Sequence, residues 1–176
     1  MFDFKDTKVD GVKLISPSIF EDGRGYFFET YNEISFNNNY KKIIFVQDNE
    51  SKSKFGTLRG LHFQKPPYEQ SKLIRVVKGK IQDIAVDLRP ASSTYRQYVS
   101  VILDEQNKKQ LFIPKGFAHA FLTLSNEAIV IYKVDNFYSK QHDSGVRYDD
   151  PLLNINWKLD KEKIIVSDKD KQLPYL

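Results

Sequence analysis

Short apolar runs alternate with turn-forming residues along the whole chain, and pairs such as Asp22-Gly23 and Lys78-Gly79 separate them. Branched and aromatic side chains dominate the runs, and these side chains suit the pleated, half-buried surface of a strand. Many short strands at this spacing predict an all-β chain folded as an antiparallel sandwich or barrel. The predicted strands are Val12–Ser16, Gly25–Thr30, Ile43–Asn49, Leu58–Gln64, Lys72–Val77, Ile81–Leu88, Tyr98–Leu103, Gln110–Ile113, His119–Leu124 and Ala128–Val134.

Little of the chain has a helical pattern. Residues Asn32–Asn39 predict one or two helical turns, and the region beyond Asp160 predicts a short helix. Pro151 and Trp157 begin a tail whose apolar residues are expected to pack back on the body. Because there is no repeat, low-complexity tract or linker, we predict a single domain over residues 1–176.

The two-residue period of a strand sorts side chains onto two faces. In Leu58–Gln64 it predicts His62 on the face of Leu58 and Arg59 on the opposite face. A buried polar group is unfavourable unless it is hydrogen-bonded or takes part in chemistry. Four polar side chains share a predicted face with apolar neighbours and therefore become candidates, namely His62, Lys72, His119 and Tyr132.

Composition narrows the class of protein. The 176 residues contain no cysteine, which excludes disulfides, zinc–thiolate sites and a thiol nucleophile. No apolar run approaches a membrane span, and the charged start Met1–Asp10 is unlike a secretory signal, so we expect a cytoplasmic protein with no membrane partner. The net charge of +4 is spread along the chain, so we expect no nucleic-acid partner.

Two segments resemble the motifs of a cupin barrel. Pro114–His119 has the Pro-x-Gly-x-x-His pattern of the second cupin motif. His62, Gln64, Lys72 and Gly79 resemble the first motif, but a metal-binding cupin would have histidine in place of Gln64 and glutamate in place of Lys72. A protonated ammonium group cannot coordinate a metal and repels it, so we expect a barrel without a metal site.

Six motifs, in order and over nearly the whole chain, resemble the dTDP-4-dehydrorhamnose 3,5-epimerase family. They are Phe20–Glu29, Gln47–Asn49, Leu58–Gln64, Val86–Arg89, Gly116–His119 and Ser167–Asp170. The resemblance implies a cupin jelly-roll β-barrel with extra N-terminal strands and a few short helices. It also implies a homodimer that needs no cofactor and epimerises a nucleotide-linked 4-keto-6-deoxy sugar.

The resemblance also assigns catalytic roles. A 4-keto group acidifies the hydrogens at C3 and C5, so epimerisation needs a base, an oxyanion donor and an acid on the opposite face. By resemblance His62 is the base, Asp170 its carboxylate partner, and Tyr132 the acid. Lys72, which occupies a former ligand position, is the expected donor to the developing enolate.

Substrate-binding positions carry over in the same way. Arg24 and Arg59 match positions that face the sugar or its diphosphate, and Tyr138 matches an aromatic platform for the base. The other matched binding residues are Glu29, Gln47, Asp48, Asn49, His119, Asp143 and Lys169. Three residues depart from the family pattern, namely Ala120 for glycine, Asp143 for glutamate and Tyr148 for tryptophan.

Other interpretations remain open for several residues and for the activity. His119 could be purely structural, His142 is typical of a surface position, and Asp83 and Asp87 are interpreted as structural partners of nearby arginine or lysine. The chain could epimerise only C3, could be a 3,4-ketoisomerase, or could act on a GDP-6-deoxy-4-keto-heptose. A binding-only cupin would be expected to lack His62 or Asp170, and a nucleic-acid-binding barrel would need a basic patch interleaved with aromatic residues.

Overall fold

Fourteen short strands build the described part of the protein, residues 2–176 of a computed structural model. In chain order they are β1 (Phe2–Asp6), β2 (Lys13–Pro17), β3 (Phe20–Asp22), β4 (Gly25–Phe27), β5 (Gln47–Lys54), β6 (Thr57–Gln64), β7 (Lys72–Lys78), β8 (Lys80–Asp87), β9 (Tyr98–Asp104), β10 (Gln110–Ile113), β11 (Phe117–Thr123), β12 (Glu127–Val134), β13 (Asp143–Gly145) and β14 (Ile165–Val166). The helices are α1 (Glu33–Asn39) and α2 (Asp168–Lys171), with a 3₁₀ turn at Lys161–Lys163.

Two sheets face each other. The first has the strand order β1-β2-β10-β7-β12-β5, and the second has the order β13-β6-β11-β8-β9. The pairs along both orders are antiparallel, and β14 joins β6 in parallel. The strand pair β3–β4 forms a separate two-stranded hairpin. This arrangement agrees with the predicted all-β jelly-roll barrel.

The inward faces of the two sheets form one apolar core. Ile74 and Val130 of the first sheet meet Ala85 and Phe117 of the second in this core. The removal of apolar side chains from water is the main driving force that brings such faces together. It contributes a free energy of roughly 25 cal/mol per Å² of buried apolar surface. Polar side chains at one side of this core leave room for the cavity described below.

Each outer face is covered by a different part of the chain. Phe36 of α1 packs with Phe112 and Ile43 on the outside of the first sheet. The tail beyond residue 150 covers the second sheet, where Leu153 and Trp157 pack against its apolar side chains, which confirms the predicted return of the tail. Asn32 caps α1 through a hydrogen bond from the Ser35 amide, and α1 confirms the predicted helical turns.

The boundaries of two predicted strands were wrong, and one strand of the first sheet was missed. The strand predicted at Ile43–Asn49 lies instead at Gln47–Lys54, a run of polar residues that pairs along its whole length with β12. It forms a strand because one of its faces lines a polar cavity, where an apolar pattern is not required. Strand β1 was missed, although Phe2 and Phe4 alternate with charged residues, and Gly25–Thr30 is a strand only as far as Phe27.

Candidate active site

A cavity of about 500 Å³ opens between the two sheets. All four residues predicted to be catalytic line it, and so do three of the predicted binding residues. The seven are His62, Lys72, Tyr132, Asp170, Arg59, His119 and Lys169. The chain therefore brings together side chains from four strands and from the region around α2.

A bulge in β6 places Arg59 and His62 on the same wall of this cavity. His119 of β11 lies opposite His62, and Phe121 lies opposite Arg59. The two β6 residues between Arg59 and His62 therefore face a single residue of β11, Ala120, as in a β-bulge. The predicted alternation, which put Arg59 and His62 on opposite faces, was therefore wrong. Leu58 correspondingly points outward, where it packs with hydrophobic residues of the second sheet's outer face.

Gly60 is the residue that makes the bulge possible. Its φ is +129°, and a Cβ built there would lie 2.3 Å from the Ala120 Cβ and 2.6 Å from the His119 carbonyl oxygen. The Ala120 methyl group thus contacts the backbone of β6 and packs in the outer apolar cluster. Tyr148 lies near Trp157 on the same outer side. Two of the three departures from the family pattern are therefore remote from the cavity.

His62 forms a hydrogen-bonded pair with Asp170. The His62 Nε2 atom is 2.7 Å from Asp170 Oδ1, although the residues are 108 positions apart. Strand β14 aligns with β6 and delivers α2, whose N-cap Ser167 accepts a hydrogen bond from the Asp170 amide. The capping role of Ser167 was not predicted, although the pattern Ser167-x-x-Asp170 is a capping signal that could have revealed it.

The carboxylate of Asp170 is held in its charged form. Burial alone would raise the pKa of Asp170. Hydrogen bonds with His62, the Gly60 amide and the Ser167 side chain outweigh burial and hold this pKa below its usual value. A carboxylate on Nε2 favours the tautomer with the proton on that nitrogen and leaves a lone pair on Nδ1. This is the form of imidazole that can accept a proton.

Lys72 and Tyr132 lie next to each other on the opposite sheet. The Lys72 Nζ atom is 5.9 Å from the centre of the Tyr132 ring. Burial lowers the pKa of Lys72 to about 8, while the charges of Asp83 and Asp143 act in the opposite direction. Burial raises the pKa of Tyr132, against a smaller effect of Arg59, so its phenol stays protonated near neutral pH.

A second histidine–aspartate pair lies beside the first. His119 Nε2 is 2.6 Å from Asp83 Oδ1, and both side chains are buried. The interpretation of Asp83 as a partner of arginine or lysine was therefore wrong, whereas Asp87 does pair with Arg89, at 2.7 Å. Burial lowers the pKa of His119, although Asp83 opposes the shift.

Three predicted binding residues meet at one edge of the cavity. Lys169 Nζ lies 2.5 Å from Asp143 Oδ2, and the Tyr138 hydroxyl donates to the same oxygen at 3.3 Å. The hydrogen bond to Asp143 raises the pKa of Lys169. Tyr138 is 56% exposed, so one of its faces is available to a ligand. On the cavity wall itself, Arg59 Nε donates to Ser53 Oγ at 3.0 Å.

Strand β5 divides its predicted binding residues between its two faces. Asn49 lies opposite Tyr132 in the register and accepts a hydrogen bond from Gln47 Nε2, at 2.8 Å, on the cavity side. Asp48 points the other way and pairs with Lys133 at 2.9 Å on the outside of the first sheet. Asp48 lies outside this cavity because alternation along a regular strand turns it away, and its role in binding stays a prediction.

Arg24 and Glu29 also lie away from the cavity of their own chain. Arg24 is exposed at the tip of the β3–β4 hairpin, where it pairs with Asp22 at 2.6 Å, and Glu29 accepts a hydrogen bond from Asn32. Within one chain these two residues therefore lie apart from His62, and their role in substrate binding stays a prediction. Phe20 and Phe27 of the same hairpin are also exposed, at 63% and 69%.

The residues at the former metal-ligand positions do not suit a divalent cation. Lys72 presents an ammonium group, and the amide of Gln64 is fully engaged with loop backbone. Within residues 2–176, no group of three or more His, Cys, Asp or Glu side chains could hold a metal ion. No helix of this same part of the chain is long and apolar enough to cross a membrane.

His142 is more than the surface residue that the sequence predicted. Its Nδ1 atom lies 2.7 Å from Ser139 Oγ, and its ring stacks near that of Tyr68, with 4.5 Å between centres. The side chain is half-buried. The surface interpretation of His142 was therefore wrong, because two loops close around it.

Known proteins share both the sequence and the fold of this chain. The family model for dTDP-4-dehydrorhamnose 3,5-epimerase matches residues 6–176. A dTDP-4-dehydrorhamnose 3,5-epimerase of Methanothermobacter thermautotrophicus is 48% identical over 171 residues, which cover 97% of this chain and 92% of the relative.

Two crystal structures extend the likeness to three dimensions. The dTDP-4-dehydrorhamnose 3,5-epimerase of Bacillus anthracis, with TDP and PPi bound, is 47% identical, covers both chains completely and gives a TM-score of 0.96. The dTDP-6-deoxy-D-glucose-3,5-epimerase of Legionella pneumophila, in complex with dTDP-4-keto-L-rhamnose, is 39% identical with a TM-score of 0.96, over 99% of this chain and 93% of that one. These matches confirm the predicted cupin jelly-roll fold, and the chain belongs to the dTDP-4-dehydrorhamnose 3,5-epimerase family of isomerases.

Proposed function

We propose that the protein converts dTDP-4-dehydro-6-deoxy-D-glucose to dTDP-4-dehydro-L-rhamnose by epimerising C3 and C5. One observation carries the proposal. The paired His62 and the protonated Tyr132 stand on opposite sheets of one cavity, with Lys72 beside Tyr132. Inversion at a carbon requires that a proton leave from one face and return to the other, and these two walls supply the two groups.

Each inversion begins at His62. Its neutral imidazole removes the proton from the carbon next to the C4 ketone, and the electron pair of that C–H bond moves onto the carbonyl oxygen. Asp170 stabilises the imidazolium that results. A positioned base of this kind contributes roughly 10²–10⁴-fold to the rate.

Lys72 and Tyr132 complete the inversion. The Lys72 ammonium donates a hydrogen bond to the enolate oxygen, and a preorganised donor of this kind in a water-poor cavity stabilises charge that develops only in the transition state. The electron pair then returns to carbon, which takes the phenolic proton of Tyr132 on the opposite face. His62 and Tyr132 recover their protonation states by exchange with solvent before the second carbon reacts.

The rest of the ligand is proposed to extend towards Tyr138. Its exposed ring offers a stacking surface to a pyrimidine base, and Lys169 and Arg59 supply positive charge for the diphosphate. The ligands of the two related crystal structures, TDP with PPi and dTDP-4-keto-L-rhamnose, support a thymidine nucleotide at this end. His119 is proposed to contact the sugar from the cavity wall.

We also propose a homodimer in which the β3–β4 hairpin contacts a second copy. Exposed Phe20 and Phe27 would be covered in such a dimer, because apolar surface of this kind favours burial. The same contact would carry Arg24 and Glu29 to the other copy's cavity, which would account for binding motifs that lie far from His62. The absence of a cofactor requirement and the cytoplasmic location stay predictions from the sequence.

Proton exchange with solvent tests the proposed reaction directly. The protein is incubated in deuterated water with dTDP-4-keto-6-deoxyglucose and, separately, with GDP-6-deoxy-4-keto-heptose, and each product is examined by NMR. Deuterium at both C3 and C5 of the dTDP sugar is the expected result. Label at C3 alone would indicate a restricted epimerase, and exchange with only the GDP sugar would overturn the nucleotide assignment.

The acid is tested by Tyr132→Phe. If Tyr132 delivers the proton, this variant still exchanges deuterium for hydrogen at the abstracted position but forms little inverted product. Equal rates of inversion in the variant and the original protein would remove Tyr132 from the mechanism.

A further inference from the structure

The side chain of Gln64 joins two loops at the edge of the cavity. Its Nε2 donates to the Tyr68 carbonyl oxygen at 2.7 Å and to the Phe137 carbonyl oxygen at 3.1 Å. Its Oε1 accepts from the Ser139 amide at 2.6 Å. The residue is 6% exposed, so all three hydrogen bonds are sheltered from water. A metal-binding cupin would have a metal ligand at this position, whereas here the side chain of Gln64 binds backbone atoms of the two loops.

The two loops, residues 65–71 and 135–142, are linked at other points as well. Gln70 Nε2 donates to the Asn136 carbonyl oxygen at 2.7 Å, and Asn136 Nδ2 donates to the Pro67 carbonyl oxygen at 3.1 Å. Asp135 accepts from the Ser71 amide at 2.6 Å. Among these links, the Gln64 amide is buried and makes three bonds with one side chain, so it is the centre of the assembly.

Tyr138 lies between the two residues that Gln64 holds. The hydrogen bonds to the Phe137 carbonyl and from the Ser139 amide fix the backbone on both sides of Tyr138. Gln64 also lies opposite Asp143 in the β6–β13 register, and Asp143 contacts both the Tyr138 hydroxyl and Lys169. The amide therefore fixes the backbone on both sides of Tyr138, and its strand pairs with the strand that carries Asp143.

We propose that Gln64 is a positioning residue for nucleotide binding, which holds the Tyr138 ring in place before the ligand arrives. This inference rests on the proposed function of Tyr138 as the platform for the base. An exposed aromatic residue on an unfixed loop would lose conformational freedom each time it bound a base, and fixing the loop in advance removes that cost. Gln64 therefore acts on affinity, whereas His62, two residues earlier on the same strand, acts on chemistry.

The chain contains a matched control for this role. Gln82 is also buried, donates from Nε2 to Ser100 Oγ and to the Asn156 carbonyl oxygen, and accepts from the Lys158 amide. It thus makes the same number of hydrogen bonds as Gln64, but it holds the tail on the body. Gln64→Leu and Gln82→Leu remove equivalent sets of bonds at two different places.

The experiment measures the dissociation constant for dTDP, together with KM and kcat for the sugar nucleotide, in the full-length protein and both variants. Gln64→Leu is expected to raise the dissociation constant and KM about tenfold, as the loss of one or two net hydrogen bonds would, while kcat stays within about threefold. Gln82→Leu is expected to lower the unfolding temperature and to leave the dissociation constant for dTDP unchanged. An unchanged dTDP constant in Gln64→Leu, or an equal rise in Gln82→Leu, would overturn the inference.

A double-mutant cycle tests whether Gln64 acts through Tyr138. In the Tyr138→Ala background, Gln64→Leu should change the dTDP constant by less than about twofold, because the group that it positions is gone. Full additivity of the two changes would contradict the positioning role. If Gln64→Leu does not fold, Gln64→Glu replaces it, since a carboxylate keeps the acceptor for Ser139 and loses both donations. Failure of the original protein to bind dTDP would instead contradict the proposed function.

Discussion

Two histidine–aspartate pairs stand side by side on neighbouring strands, yet only one has the surroundings of a base. His62 and His119 face each other in the β6–β11 register, and their Nε2 atoms lie 2.7 Å and 2.6 Å from Asp170 and Asp83. The His62 side chain is 33% exposed and the His119 side chain 8%. The hydrogen bond between histidine and aspartate is therefore the same in both pairs, but the His62 ring is more accessible to a substrate than the His119 ring.

The carboxylates differ as well. Both hydrogen-bonding edges of Asp170 are used, by His62 and by the Gly60 amide, and its pKa is held low despite burial. Within residues 2–176, Asp83 Oδ2 has no hydrogen-bond partner. Burial lowers the pKa of His119, so protonating this ring is unfavourable. We infer from the comparison that accessibility and the support of its carboxylate suit His62 to act as a base, and that a histidine–aspartate pair alone is not sufficient.

Removing the ring of His62 should produce the largest loss. His62→Ala is expected to reduce deuterium exchange at C3 and C5 by roughly 10²–10⁴-fold, because the base is lost. His119→Ala should retain measurable exchange and show its main effects on KM and stability. The rates are measured by NMR, with dTDP binding and circular dichroism as controls for folding. Full activity of a folded His62→Ala protein would reverse the two assignments.

The next largest effect is expected at Lys72, which lines the same cavity as both histidines. Lys72→Met should lower kcat by about 10²–10³-fold, equivalent to roughly 2.7–4 kcal/mol, because one donor to the enolate oxygen is removed. Methionine preserves most of the side-chain volume, so steady-state kinetics report the lost charge. A rise in KM with normal kcat would show that Lys72 only binds substrate.

The two aspartates offer the sharpest matched comparison. Asp170→Asn should lower kcat roughly 10–100-fold, because an amide no longer stabilises the imidazolium or fixes its tautomer. Asp83→Asn should lower kcat less, and should lower the free energy of unfolding by about 1–3 kcal/mol through the altered buried hydrogen bond. Kinetics and denaturant unfolding of both variants separate the effects. Equal losses of kcat would contradict the distinction between the pairs.

The pH profile should show the state of the enolate donor. Since Lys72 must be protonated to donate and burial lowers its pKa to about 8, kcat should fall above that pH as the ammonium loses its proton. Lys72→Arg, whose charge persists at high pH, should remove this alkaline limb if the variant retains activity. An identical limb in Lys72→Arg would assign it to another group.

The smallest expected effect is that of a chelator. Prolonged treatment with EDTA should leave the exchange rates unchanged, because Gln64 and Lys72 stand where metal ligands would be. Metal analysis of the purified protein serves as the control. Loss of activity that a divalent cation restores would overturn this expectation.

The sequence predicted regular features well and local exceptions poorly. Strands such as Gln110–Ile113 followed directly from apolar runs and turn residues. Strand β5 was misplaced because its polar pattern reflects a polar cavity, which cannot be known before the strands are assembled. The bulge that unites Arg59 with His62 depends on the packing of Gly60 against β11, which is a contact between distant parts of the chain.

Some residues of the candidate site could be predicted from the local sequence pattern, and others could not. Lys72, His119 and Tyr132 were recognisable as polar residues on apolar faces, and the structure brings them to one cavity. The pairing of Asp170 with His62 spans 108 residues, so local pattern could not reveal it and only the family motif indicated it. Arg24 was placed at the site by its motif, although within one chain it lies elsewhere.

The contact between Gly60 and Ala120 has a consequence for how this sequence can change. A side chain at residue 60 and a methyl group at residue 120 compete for the same space, so the two positions are not free to vary independently. Substitutions that enlarge either one should force β6 and β11 apart and separate His62 from its neighbours. Directed evolution of the protein towards other sugar nucleotides should therefore succeed at the Tyr138 end and tolerate only the smallest residues at this contact.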